Sequence, residues 1–316
     1  MYKLIRLFNQ NRKKFVLIIL IIAFGFLLLQ LLNYYAGHGN KNTTQNITNS
    51  NTTIVNNNSS LISDKSQITG QSISTSKIQN DTEVINKFIE YCNKKDINNA
   101  YNLLSDDCKE VMFPTIQDFY DYYYVKIFDE DNKTYTVENW TGSTYTVRIT
   151  GNILSTGNLS NNKTNQDYMT IVKQGNENKL NINNYVSSTK SNKETTYENI
   201  KVNITQIDTY MDYEIYNLTI ENNSKNTILI DTSDDTKSVY LTDENSMKYY
   251  FYSSEINESK LRIDSNYKSN IKIKFTNKYS STRKIKNMVF SKMVLNYNEY
   301  LNNKENYEFY KFLVNV

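Results

Sequence analysis

Residues 15–32 read FVLIILIIAFGFLLLQLL, and this stretch decides how the rest of the chain is arranged. Gln30 is its only polar side chain. At about 1.5 Å rise per residue, a helix of this length nearly crosses a hydrocarbon core of roughly 30 Å. Because lipid offers no partners to backbone polar groups, the stretch predicts a transmembrane helix within residues 15–35.

The first 14 residues set the direction of this helix. They carry five basic residues and no acidic residue: Lys3, Arg6, Arg12, Lys13 and Lys14. Positive flanks stay on the cytoplasmic side, so residues 1–14 are predicted to be a cytoplasmic tail and everything after residue 35 to lie outside the cell. The alternative is a cleaved signal peptide. The apolar run is long for that, and the bulky Tyr34 makes residues 33–37 a poor cleavage site.

The composition bounds the class of protein. The chain has 27 Tyr but 1 Pro, and it is rich in Asn, Lys and Ile, a bias typical of an AT-rich bacterial genome. We expect a Gram-positive bacterial source. Five of the 36 basic residues lie in the tail, which leaves 31 basic and 33 acidic residues outside. An exterior with a net charge of about −2 argues against nucleic-acid binding.

Residues 36–80 are Asn, Thr, Ser and Gln with scattered single apolar residues. No helical or strand period persists, and too little apolar surface is present to offset the entropy of ordering. The sequence predicts a disordered linker here.

Order is expected from residue 81. Val84, Ile85, Phe88, Ile89 and Cys92 recur on one face of a helix. A second short helix follows near residues 97–104, and a third after the proline, where residues 115–118 have the form of a capping box. The pattern then changes to strands at 135–140, 144–154, 168–173 and 179–186. Helices followed by an antiparallel sheet predict an α+β domain.

The run INKFIEYCNKKDINNAYNLLSDDCKEVMFPTIQDFYDYY, followed by these strands, resembles nuclear transport factor two-like domains. The resemblance covers residues 81–188. It implies a cone-shaped fold in which a curved sheet wraps around a long N-terminal helix.

From residue 197 onward the sequence predicts strands only. Apolar residues alternate near 200–204, 216–220, 271–275 and 310–316, with Asn- and Asp-rich turns between them. This spacing predicts a β-sandwich over residues 197–316, joined to the first domain by the polar segment 187–196. The phrase LTIENNS at 218–224 is similar to one in immunoglobulin-like domains of unknown function on bacterial surface and secreted proteins.

Two cysteines, Cys92 and Cys108, both follow the predicted span. Disulfides can form outside the cell, and closing a loop of this size would stabilise by about 3 kcal/mol on the chain-entropy account. Two separate buried thiols are the other interpretation, and the sequence leaves both open.

Conventional catalysis is not expected. The single histidine, His38, lies in the predicted linker, which excludes a Ser-His-Asp or Cys-His arrangement in a folded domain. We predict no cofactor. Acidic runs at 129–132 and 231–235 could offer oxygen ligands to calcium, but they lack EF-hand spacing and are more typical of solvated turns.

A pocket inside the cone remains a candidate binding site, with Tyr123 and Trp140 as its predicted lining. Related enzymes place Asp and Tyr as acid and base there, and Asp118 or Asp121 would be the nearest acids. A run of Tyr beside a helix more often belongs to the hydrophobic core and its solvent-exposed edge.

Two function classes follow. The first is a single-pass, membrane-anchored extracellular protein that serves as a non-catalytic protein-binding or assembly module, with other surface or membrane proteins as partners. The predicted order of this chain is a cytoplasmic tail, a single span and an exterior cone-like domain. The same order is seen in assembly components of conjugation and type IV secretion machines. The alternative is binding of a small molecule or cell-wall glycan, or more remotely catalysis, in the cone pocket.

Overall fold

The computed structural model describes residues 59–128, 132–151, 164–232, 237–251 and 261–316. The predicted tail, the predicted span 15–32 and most of the predicted linker lie outside the described residues. Within the described part of the chain, no helix is both long and apolar enough to cross a membrane. Residues Ile54–Val316 form one compact unit. The fold is mostly antiparallel β-sheet with several helices.

The first part of the fold is a helical layer on a five-stranded sheet. Its helices are α1 (Thr75–Asn93), α2 (Ile97–Asn102), α3 (Asp106–Met112), α4 (Ile116–Phe119), a π-helical turn (Tyr120–Tyr124) and α5 (Val125–Phe128). The sheet contains β1 (Ser59–Ser63), β2 (Lys133–Thr141), β3 (Thr144–Gly151), β4 (Thr164–Gln174) and β5 (Glu177–Asn181), in that order. Strand β1 runs parallel to β2, and the other pairs are antiparallel.

Alternation along the strands gives this sheet an inner and an outer face. On β2, Tyr135, Val137 and Asn139 are buried, while the residues between them are half-buried. The inner face packs on the apolar face of α1, where Ile85, Phe88 and Ile89 are fully buried. One continuous apolar core therefore joins the helices to the sheet.

The second part is built from strands around a separate core. One sheet has the order β13-β8-β7-β6, from β6 (Tyr185–Tyr197), β7 (Ile200–Tyr210), β8 (Glu214–Asn222) and β13 (Tyr267–Phe275). The other has the order β11-β10-β14-β15, from β10 (Val239–Asp243), β11 (Lys248–Tyr250), β14 (Ile285–Met293) and β15 (Tyr310–Asn315). Strands β9 (Ile228–Leu229) and β12 (Arg262–Ile263) form a short pair. Buried residues of both four-stranded sheets share one core, an arrangement compatible with a β-sandwich.

Several predicted boundaries differ from the structure. The predicted disordered linker ran to residue 80, yet β1 is ordered from Ser59 and α1 begins at Thr75. The reason is long-range backbone pairing: the N–H groups of Gln67 and Ile68 donate to the carbonyls of Asn139 and Trp140 on β2. Composition alone does not contain such contacts.

Two further elements were not predicted. The polar segment 187–196, expected to join two domains, lies within edge strand β6 and pairs with β7. The region after residue 197 also contains helix α6 (Tyr297–Asn302), where strands alone were expected. The Asn296 side chain caps this helix by accepting from the Glu299 N–H, and Tyr300 is the buried residue of the helix.

Candidate functional site

Tyr123, one of the two predicted pocket residues, is a core residue. Its side chain is 1% exposed, and its ring packs against Phe113 and Phe119 at centroid distances of 6.0 and 5.8 Å. Its hydroxyl donates to the Asp167 Oδ2 atom at 2.7 Å. Burial, followed by the neighbouring Asp167 charge, raises the pKa of the phenol well above its usual range.

Asp167 collects donors from two other elements. The backbone N–H groups of Asn183 and Asn184 each donate to its carboxylate at 3.0 Å. Both asparagines adopt left-handed backbone, with φ of 59° and 63°, which turns their N–H groups toward the carboxylate. Burial raises the pKa of Asp167, and these hydrogen bonds oppose the rise. The cluster therefore ties the π-helical turn to β4 and to the turn before β6.

Trp140 lies on the other side of the sheet. It belongs to the half-buried positions of β2, and its ring packs edge-on against Tyr168 at 5.3 Å. Tyr168 is also on the outer face, next to Asp167 on the inner face. Tyr123 and Trp140 therefore line no common pocket. The predicted pairing is wrong because alternation along β2 directs Trp140 away from the helices.

The other polar residues of this region make structural contacts. Asp118 completes the capping box with Thr115, as the sequence predicted. Asp121 accepts from the Gln117 amide at 3.0 Å. Tyr122 is 60% exposed.

Cys92 and Cys108 are both free and buried. Burial raises the pKa of the Cys108 thiol to about 12 and raises that of Cys92 further. Of the two interpretations left open by the sequence, the structure contains separate thiols.

The acidic runs give no metal site within the described residues. No group of three or more His, Cys, Asp or Glu side chains is suited to a metal ion there. Asp231 is buried and accepts from the Ser238 hydroxyl at 2.5 Å. Residues 129–131 and 233–235 of these runs lie outside the described residues.

A groove of about 970 Å³ runs between α1 and the β4–β5 hairpin. The helix contributes a stripe at helical spacing: Ser76, Asn80, Glu83, Lys87 and Tyr91. The hairpin contributes the opposite wall through Ile171, Lys173 and residues 176–179. From Ser76 to Tyr91, at about 1.5 Å rise per residue, the stripe is roughly 22 Å long. The groove is therefore elongated, and the sequence signal for it is the polar side of an otherwise amphipathic helix.

Charge in the groove is mostly neutralised by neighbours. Lys87 pairs with Glu83 at 2.7 Å, and Lys179 pairs with Glu177 at 2.8 Å. At the floor, Lys77 pairs with Asp81, which also accepts from the Tyr145 hydroxyl at 2.8 Å.

One cation of the groove stands apart from these pairs. The Lys173 side chain is exposed, and its ammonium makes no ion pair or hydrogen bond with any described residue. Within the described part of the chain, the groove thus presents one ammonium without a partner among paired charges.

A second feature crosses the outward face of the β11-β10-β14-β15 sheet. Tyr240 lies opposite both Tyr250 and Val289, and Val289 lies opposite Leu313. We call these four residues the apolar row. Tyr240 and Val289 are buried at its centre but belong to neither core, whereas Tyr250 and Leu313 are 39% and 45% exposed at its ends.

The flanks of the apolar row are basic. The Lys248 Nζ atom lies 4.5 Å from the centre of the Tyr240 ring, and Lys311 is exposed beside Leu313. Neither lysine forms an ion pair with a described residue. The row could not be read from the sequence because it depends on the pairing of four strands.

The tyrosines between 297 and 310 mostly stabilise the fold. Tyr300 is buried and packs against Tyr307 at 5.4 Å and Phe309 at 6.0 Å. Tyr310 is 41% exposed and lies 6.5 Å from Tyr197 across the junction of the two sheets.

Comparison with known proteins places the chain in no family. No protein-family model and no curated protein matches it. Among solved structures it is similar to the crystal structure of the yjhA protein from Bacillus subtilis, with 14% identity and a TM-score of 0.28. That match covers 40% of this chain and 98% of the other.

Proposed function

We propose that this chain is a single-pass, membrane-anchored protein of a Gram-positive bacterium whose exterior part is a non-catalytic protein-binding or assembly module. The anchor is the apolar stretch 15–32 behind a basic tail. The exterior part comprises a nuclear transport factor two-like α+β domain at 81–188 and an immunoglobulin-like sandwich at 197–316. The order of helices and then strands supports the first, and two sheets around one core support the second.

The apolar row is the observation that carries the binding function. Tyr250 and Leu313 are exposed at the two ends of the row, and exposed Tyr and aliphatic side chains on a sheet face are typical of protein interfaces. With Lys248 and Lys311 beside it, the row fits a protein segment that is apolar and flanked by carboxylates.

The test compares two matched substitutions in the full-length, C-terminally tagged chain. Leu313→Asp removes an exposed apolar contact of the row and repels an acid-flanked partner. Tyr267→Asp, the control, changes a 62% exposed side chain on edge strand β13 of the other sheet. Intact cells are treated with a cross-linker that does not cross membranes, and the tagged chain is recovered.

We expect a consistent set of surface or membrane proteins with the wild type and with Tyr267→Asp, and at least about a tenfold loss with Leu313→Asp, since one apolar side chain contributes about 1.5–3 kcal/mol. Equal recovery with both variants would refute the row as the docking face. Recovery of the tagged chain alone from wild-type cells would refute the assembly function.

A further inference from the structure

We infer that the groove between α1 and the β4–β5 hairpin binds a hydroxyl- and amide-rich glycan chain whose only charge is one carboxylate, the chemistry of a cell-wall glycan. The inference goes beyond the proposed protein-binding function, and the groove shares no residue with the apolar row. The groove is also distinct from the predicted cone pocket, since neither Tyr123 nor Trp140 lines the groove.

The groove walls offer neutral hydrogen-bonding groups. The side chains of Ser76 and Asn80 on α1, and of Asn176 and Asn178 on the hairpin, make no hydrogen bond with a described residue. They are therefore open to a ligand. Amide side chains donate and accept at once, which matches sugar hydroxyl and N-acetyl groups.

An aromatic ring and an apolar floor complete this lining. Tyr91 stands half-buried at one end of the helix stripe, and Val84 and Ile171 are buried beneath it. Tyr offers an apolar face for a sugar ring and a hydroxyl for its edge. Ligand sites commonly combine such an apolar base with a few placed polar groups.

The charged side chains of the groove favour this glycan over a polyanion, an acidic peptide or a basic peptide. Three of the four groove lysines are paired with acids in the groove, so a polyanion would have to break those pairs. Lys173 is the one groove lysine that pairs with no acid among the described residues, so it offers one counter-charge for one carboxylate. An acidic peptide would need more free cations, and a basic peptide would meet Lys173 unfavourably.

The experiment uses the full-length chain in detergent and titration calorimetry. The probes are a neutral oligomer of N-acetylglucosamine and a cell-wall glycan chain of equal length in which one sugar carries a lactyl carboxylate. We expect both to bind, and the carboxylate-bearing chain to bind more tightly. A single partly exposed ion pair predicts a preference of about 2–5-fold.

Variants assign that preference to the groove. Lys173→Gln should abolish it while leaving the neutral oligomer unchanged, and Asn80→Ala should weaken both glycans. The control is Lys272→Gln, an equally exposed lysine on β13 outside the groove, which should change neither affinity. Circular dichroism checks that each variant is folded.

Three results would overturn the inference: no heat of binding from either glycan, an unchanged preference in Lys173→Gln, or tighter binding of an acidic peptide of matched length. None of them would affect the cross-linking test of the apolar row, so the two proposals fail separately.

Discussion

Asp167 is a buried carboxylate held by three hydrogen bonds from two other elements. Among the described residues its donors are the Tyr123 hydroxyl and the N–H groups of Asn183 and Asn184, and none of these is a cation. Such a group contributes to stability only while its donors are in place, because an unsatisfied buried polar atom costs more than a formed bond contributes. One acid can therefore fix the junction between the helices and the sheet.

Removing the Tyr123 hydroxyl tests this account. Tyr123→Phe keeps the ring packed but deprives Asp167 of one donor, so we expect a loss of about 1–3 kcal/mol in the free energy of unfolding. Urea unfolding of residues 54–316 measures it. The control is Tyr122→Phe, which removes the hydroxyl of a 60% exposed tyrosine one position earlier. Its unfolding free energy should stay within about 0.5 kcal/mol of the wild-type value. Equal effects of the two variants would contradict the structural role.

Asp167 also gives a pH dependence. Burial raises its folded-state pKa above the unfolded value of about 3.9, so the folded state holds the proton more tightly. The stability that this proton linkage contributes is therefore full below about pH 4 and is lost as the pH rises through the folded-state pKa.

Asp167→Asn does not titrate, so its difference from the wild type isolates this effect. We expect the advantage of the wild type in unfolding free energy to be largest at low pH and to shrink as the pH rises. Urea unfolding of residues 54–316 across the acidic range measures the difference. A wild-type advantage that grows with pH would show that the folded-state pKa is lowered instead.

The two cysteines make a third residue-level prediction. Because burial raises the pKa of both thiols, a thiol reagent at neutral pH should label neither Cys92 nor Cys108 in the folded protein. After unfolding without a reductant, two thiols should react. Absorbance of the released reagent counts them. Zero thiols after unfolding would mean that a disulfide forms, and immediate labelling of the native protein would contradict their burial.

At the scale of elements, one asparagine organises the end of β8. Asn222 is fully buried, and its amide donates to the carbonyls of Asn226, Ile263 and Asp264 at 2.8–3.1 Å. Its Oδ1 atom accepts from the Ser224 N–H at 3.0 Å. The Asn-rich turn predicted at 222–224 is therefore confirmed, and its first residue also holds the segment after β12 in place.

Asn222→Ala should leave these buried carbonyls with fewer donors. We expect a loss of about 2–4 kcal/mol in the unfolding free energy of residues 54–316. Asn223→Ala is the matched control: Asn223 is the next residue, is exposed, and its side chain bonds no described residue, so its effect should be within about 0.5 kcal/mol. A small effect at Asn222 would mean that the turn is held by its backbone alone.

Elements whose signals are local were predictable from the sequence. Ile200, Val202 and Ile204 alternate on β7 and are buried, because the period of a strand directs every second residue to one face. The capping box at Thr115 and Asp118 is likewise a short-range signal, and it marks the start of α4.

Elements that depend on distant partners were not predictable. Strand β1 and the segment after it are polar, and they are ordered by the edge of β2, more than 70 residues away. Strand β6 carries Lys190 and Lys193 along an edge that faces solvent, so its sequence resembles a linker. The same applies to the candidate sites. The chemistry of Tyr123 and Trp140 was visible in the sequence, but the faces they occupy were not.

At the scale of the whole molecule, the two proposed surfaces belong to different parts of the fold. The groove lies beside α1 in the helix-and-sheet part, and the apolar row lies on an outward sheet face of the all-β part. An anchored protein with two such surfaces could hold a protein partner through one and the cell wall through the other. Attachment to a membrane would raise the effective concentration of both contacts.

Photo-cross-linking from position 313 in intact cells tests the central claim most directly. A photoreactive residue replaces Leu313 in the full-length chain, and in a matched strain it replaces Tyr267. The account predicts the same surface or membrane protein joined covalently at position 313 in repeated experiments, and little or none at position 267. Products of equal yield at both positions, or no product at position 313, would contradict a protein-binding module on the cell surface.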